Sequence, residues 1–196
     1  MSPRFRKRTF TLPSFGRSLL LAGIRLPRLS LALIRPATSR ALREQVMLAT
    51  TSVNDCRYCS WAHTHLALEQ GVDLEALNQL LGNPDASTLG RPEAIAILFA
   101  QQFAERQARD AVEGKDRLKE EYSAWQRSEI MAYLHVIYFA NLSGNTFDAL
   151  LARLKGYRVE ESQLMTEVIV SLLSFPVLIP IMLSARNDRK VGFGTL

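Results

Sequence analysis

The sequence predicts an all-α fold, and three observations carry that prediction. No segment alternates apolar and polar residues for long, so strand signals are nearly absent. Apolar residues recur instead every three to four positions along most of the chain. Helix-capping residues stand before these runs, and glycine or proline closes them. The chain has 196 residues, 47% of them apolar, which suffices for one domain with appended segments and argues against disorder.

From Leu19 to Ile34 apolar residues mix with arginines around Pro27, which predicts one or two short helices ended by Pro36. A helix follows, capped by Thr38 or Ser39 and running to about Ser52. Val53-Asn54-Asp55 breaks the pattern, and Asn54 is a good cap for the next helix, Cys56 to Glu69. Gly71 suits the left-handed position after it. Asp73 caps a short helix, Leu74 to Leu81, closed by Gly82. Residues 82–91 are a loop, and Pro92 fits the first turn of a long helix to about Arg109. Its apolar face is Ile95, Leu98, Phe99 and Phe103. Further helices are expected from Asp116 to Tyr122, Ser128 to Leu142 and Thr146 to Lys155, with Gly144 bending or ending the second and Gly156 stopping the third. A final apolar helix starts near Glu161. The uncharged run Val168 to Ala185 tempts a membrane reading. Pro176, Pro180 and three serines favour a kinked buried helix or an oligomer contact.

Charge is unevenly spread. Residues 1–43 hold ten Arg or Lys and no Asp or Glu, and the rest of the chain, with 14 basic and 19 acidic residues, is net −5. The overall +5 is therefore a property of the N-terminal segment. A solvated or oligomer-packing arm is the plain reading, and a helix lying on a membrane through residues 1–35 is the alternative. No nucleic-acid reader motif accompanies the charge, so nucleic acid is not an expected partner. The run Leu19 to Ile24 is too short for a convincing secretory signal, although the Arg-rich, acid-free start has the composition of an organelle transit peptide. The expected location is cytoplasmic, with membrane association open.

The two cysteines, Cys56 and Cys59, are too close to staple distant loops. On a helix Cys56, Cys59 and His63 fall at about 0°, 300° and 340°, one narrow face. Cys56 in a first helical turn favours a thiolate, and His63, one turn beyond Cys59, is placed to take a thiol proton. Glu44, on the preceding helix, is placed to orient the imidazole. Proximity to the base favours Cys59 as the first nucleophile, and helix placement favours Cys56. Ser60 after the second cysteine excludes a c-type haem, and the lack of strands argues against a thioredoxin-like site. Zinc held by Cys56, Cys59, His63 and Glu44 or His65 is a rival, weakened because three ligands would come from one helix. Two buried cysteines and a satisfied core histidine are the bland alternative. His65 faces away as a surface or interface residue, His135 is a core histidine or a supporting group, and Trp61 and Tyr58 are packing or interface residues.

The pattern Glu44-x11-Cys56-x2-Cys59-x3-His63 resembles the signature of the AhpD-like (alkyl hydroperoxidase D-like) proteins of the carboxymuconolactone decarboxylase family. The words VNDCRYCSWAHTHLALEQGVD and FANLSGNTFDALL carry the resemblance further, over roughly Ser39 to Leu154. It implies an all-α helical bundle, assembled into homo-oligomers, to which the residues outside the match add N- and C-terminal helical extensions. The implied segments are a basic apolar N-terminal segment (1–37), the AhpD-like domain (38–156) and an apolar C-terminal helix and tail (157–196). The implied activity is thiol-dependent hydroperoxide reduction, or electron transfer from a dihydrolipoyl-type donor to a peroxiredoxin-like partner, with Glu44, Cys56, Cys59 and His63 as relay and dithiol. An external dithiol is the expected reductant, with no resident cofactor or metal. A dithiol-disulfide reductase or redox adaptor with little peroxidase activity is the alternative. Tyr58 stands where AhpD has a histidine, and a phenol does not shuttle protons near neutral pH, so Tyr58 and His135 are at most supporting residues. Decarboxylase relatives lack this dithiol, which makes lactone decarboxylation a weak reading.

Overall fold

Local capping signals set most of the helix starts in the computed structural model, which describes residues 4–83, 88–109, 112–160 and 162–190. The helices are α1 (Leu12–Ile34), α2 (Arg40–Asn54), α3 (Arg57–Glu69), α4 (Leu74–Gly82), α5 (Arg91–Glu105), α6 (Val112–Glu121), α7 (Ala124–Leu154) and α8 (Leu164–Lys190). Among the described residues there is no strand, only an isolated bridge between Arg4 and Arg158. The fold is an all-α bundle.

Several starts follow the expected chemistry. Ser39 accepts from the Leu42 N–H, Asp73 accepts from Ala76 N–H, and proline opens α5. Gly71 takes φ +71° after α3, where the Val72 N–H bonds back to the Ala67 carbonyl.

Three expectations change. Pro27 does not divide the N-terminal segment, because α1 is continuous from a Thr11–Ser14 capping box. Pro27 and Gly23, four residues earlier, lie on the exposed side, where water can take the hydrogen bond proline cannot give. Gly144 neither bends nor ends its helix. Every residue from Asn141 to Ala149 is buried, and packing on all sides outweighs the glycine cost of about 1 kcal/mol. Helix α5 stops at Glu105, because Gln107 and Ala108 turn the chain at φ 55° and 57°. Its buried face is Ala96, Ile97, Phe99, Ala100 and Phe103, with Ile95 and Leu98 at the margin. The expected start of the last helix, Glu161, and residues 84–87 of the expected loop lie outside the described residues.

The central element is α7, against which α1, α2 and α8 pack. Helix α1 runs antiparallel to it. Phe10 donates its N–H to Thr146 Oγ1 (2.9 Å), and Phe10, Phe15 and Phe139 form an aromatic cluster. At the other end Arg28 stacks on Trp125 and pairs with Glu129. Glu129 is fully buried and accepts from the backbone of Ala37 and Thr38 and from the Thr38 hydroxyl, which fixes the entry to α2. Helix α8 is fastened to α7 by a two-pronged pair between Arg153 and the fully buried Glu167 (2.8 and 2.9 Å).

The apolar run in α8 is less buried than its composition suggests. Leu172, Leu173, Phe175 and Leu183 are exposed in the single chain, as are Leu19, Leu20, Ile24 and Ile34 of α1. Among the described residues no helix is long and apolar enough to cross a membrane.

Candidate active site

The site is built where α2 hands over to α3. Helix α2 ends at Asn54, two residues later than the sequence suggests, and Asp55 closes it in the left-handed region (φ 54°, ψ 47°). Aspartate tolerates that conformation better than most residues. The turn leaves Cys56, and not Asn54, as the N-cap of α3. Asn54 is instead turned into the core.

Two distant residues hold this turn. Asn145 of α7 donates its amide to the Asn54 carbonyl (2.6 Å). Lys7 donates to the Asp55 carbonyl (2.7 Å) and pairs with its carboxylate (3.2 Å). Beside them Thr51 donates to Asn141 Oδ1 (3.1 Å). The side chains of Asn54, Asn141 and Asn145 are thus a buried polar layer directly behind the cysteine turn.

Both cysteines are free, and their Sγ atoms lie 2.9 Å apart. Cys56 is fully buried and Cys59 is 7% exposed. The thiols differ in acidity. Contact with Cys59 lowers Cys56, burial opposes this, and the backbone N–H groups of Cys59 and Tyr58 add to the lowering, so Cys56 sits below the ordinary thiol value. Its contact with Cys56 and its own burial push Cys59 well above that value. Helix placement and the thiol–thiol contact together favour a thiolate on Cys56 over one on Cys59.

His63 lies two turns into α3 and turns its Nδ1 to Glu44 Oε2 (2.7 Å). Glu44, 1% exposed, has its other oxygen on Arg43 Nε (2.6 Å). Burial pushes the Glu44 carboxyl up, but the hydrogen bonds and charges of His63 and Arg43 outweigh it and hold the group below its ordinary value. Glu44 therefore fixes the imidazole through Nδ1 and leaves Nε2 free to exchange a proton. Among the described residues no three His, Cys, Asp or Glu side chains converge in metal-binding geometry.

A second acid stands on the other side of the dithiol. Asp148 of α7 accepts from the Tyr58 hydroxyl (2.5 Å) and from Arg57 (2.5 Å), and Arg57 also reaches the Tyr58 oxygen (2.7 Å). Burial, then the hydrogen bond and charge of Asp148, push the phenol well above its ordinary value. Tyr58 is therefore a fixed donor to Asp148. The Asp148 charge works against a thiolate on Cys56.

The remaining candidates lie apart from this arrangement. His65 faces its own helix, with Nδ1 on the Trp61 carbonyl (2.8 Å) and its ring against Trp61. His135 is buried edge-on against Phe103, where α7 meets α5. Arg43, Arg57, Asn145 and Asp148 are not singled out by the sequence, although Asn145 and Asp148 lie in the run FANLSGNTFDALL that carries the resemblance.

Residues 25–102 match the carboxymuconolactone decarboxylase family. The matched stretch begins inside α1, carries Glu44, Cys56, Cys59 and His63, and ends in α5. No curated protein and no solved structure matches the chain.

Proposed function

We propose, from the match of residues 25–102 to the carboxymuconolactone decarboxylase family, that the chain is an AhpD-like thiol peroxidase, reducing hydroperoxides with the Cys56–Cys59 dithiol. The observation that carries the reading is one constellation. Two free thiols are in contact, and a histidine one helical turn from Cys59 is oriented by a buried glutamate.

Cys56 is the attacking group. Cys56 gives its proton to His63, its thiolate attacks the distal oxygen of the hydroperoxide, the O–O bond breaks to release the alkoxide, and Cys56 becomes a sulfenic acid. The leaving alkoxide takes a proton from His63, with Glu44 holding the imidazolium. The Cys59 thiol then gives its proton to His63 and attacks the Cys56 sulfur, releasing water and closing the disulfide. The sum is two thiols and one hydroperoxide converted to one disulfide, one alcohol and one water. An external dithiol returns the pair to the reduced state. Burial of both sulfurs favours a small peroxide and a slender dithiol carrier over direct exchange with a folded protein surface. The exposed apolar faces of α1 and α8 support the expected homo-oligomer.

The test is peroxide-dependent loss of free thiols in the reduced protein, followed by thiol titration and intact mass beside His63→Ala. Addition of an alkyl hydroperoxide should remove about two daltons, the two thiol hydrogens, far faster in the wild type. Thiols that stay reduced would end the peroxidase reading. Sulfenic acid trapping separates the cysteines: Cys59→Ser should accumulate it and Cys56→Ser should not.

A further inference from the structure

A cavity of about 520 Å³ lies beside α7, between the start of α1 and the segment after α5. Three arginines from three segments line it: Arg8 before α1, Arg17 within α1 and Arg109 after α5. Among the described residues no carboxylate lines the cavity, and none pairs with these guanidinium groups. Arg8 anchors one N–H on the last turn of α5, at the Ala104 carbonyl (3.0 Å), and Arg17 anchors one on the turn after it, at the Ala108 carbonyl (3.4 Å). Each keeps the rest of its donor fork.

Tyr138 of α7 also lines the cavity. It is 4% exposed, and among the described residues its hydroxyl has no hydrogen-bond partner. Burial raises this hydroxyl against the opposing charges of Arg8 and Arg17, so it remains a neutral donor. An unpartnered phenol donor and three exposed arginines thus face one space. An anion rich in acceptors suits both. Pro13 and Leu142 add an apolar wall, and the volume exceeds that of a bare ion.

We infer that this cavity is an anion site taking a phosphate group on an organic molecule, with Arg8, Arg17 and Arg109 supplying charge and Tyr138 a directional donor. A tetrahedral dianion accepts from donors on three sides, whereas a planar carboxylate suits a single guanidinium fork. The phosphate is carried either by a small soluble molecule or by a phospholipid headgroup.

The experiment titrates inorganic phosphate into the full chain by calorimetry, with sodium chloride at matched ionic strength as control. Beside it, flotation compares vesicles of phosphatidylcholine alone with vesicles containing phosphatidylglycerol. One-site phosphate binding, weakened about tenfold or more in Arg17→Gln and Arg109→Gln, supports the site with a soluble source. Binding only to phosphatidylglycerol vesicles, lost in the same variants, supports it with a headgroup source. Tyr138→Phe keeps the packing volume and should weaken binding several-fold. Arg109→Gln alters no described side-chain contact, so its result stands even where Arg17→Gln disturbs the fold. Absence of binding to either probe above the chloride control, or equal binding in all variants, overturns the inference.

Discussion

Two buried carboxylates flank the dithiol, and they do opposite things. Glu44 is joined to an imidazole and an arginine, Asp148 to a phenol and an arginine. Burial is similar, at 1% and 6% exposed. The difference lies in the third partner. Imidazole changes charge near neutral pH, so Glu44 supports a group that can move protons. The phenol beside Asp148 is pushed away from that range, so the cluster is a static charge. What an acid near a reactive thiol can do therefore depends on the group it holds.

The sharpest way to break this contrast is to remove the third partner on each side. His63→Ala should slow alkyl hydroperoxide reduction by about 10²-fold or more. Tyr58→Phe should change it by less than about threefold, because no proton passes through the phenol. Stopped-flow thiol oxidation reads both, and an equal loss in the two variants would dissolve the distinction.

Exchanging the acids comes next. Glu44→Gln keeps the shape but not the charge and should cost about tenfold or more in rate. Asp148→Asn removes a charge that opposes the thiolate, so iodoacetamide should alkylate Cys56 a few-fold faster at slightly acid pH. A slower reaction would show that Asp148 acts by holding geometry and not by charge.

Stability against pH gives a smaller effect with a definite sign. The folded Glu44 carboxyl lies below its ordinary value, so the folded state binds fewer protons than the unfolded chain in that window. The stabilisation is complete above the unfolded value of about 4.3 and is lost as pH falls through the folded one. Urea unfolding between pH 3 and 7, roughly the span across which carboxyls charge, should show a steeper acid loss in the wild type than in Glu44→Gln. Parallel curves would deny Glu44 its charged partners. The smallest change is expected at Lys7→Gln. That exposed link to Asp55 should contribute no more than about 1 kcal/mol and fade with salt, as denaturant titrations at two ionic strengths would show.

The sequence and the structure agree where signals are local. Asp73 before a short apolar run and Gly71 after a longer one are complete within a few residues, and both behave as expected. The pairing of Glu44 with His63 was legible because the motif supplies both partners. Gly144 misled because its neighbours decide its conformation through burial, which no local pattern records. Asn54 has a good capping side chain, yet the core claims it and the next helix starts two residues later. Asp148 and Asn145 could not be assigned, since their partners stand about ninety positions away.

That separation has a consequence for the life of the chain before it is complete. Asn54 and Asn145 are 91 residues apart, and Phe10 and Thr146 are 136 apart. At roughly 5–20 residues per second, synthesis runs for on the order of ten seconds after the cysteine turn before its latch on α7 exists. The cysteines, three positions apart, need nothing distant to meet. On the ribosome the dithiol is thus an open, local pair, and only the arrival of α7 encloses it. A brief pulse of thiol reagent should mark nascent chains truncated before Asn145 far more heavily than the finished protein.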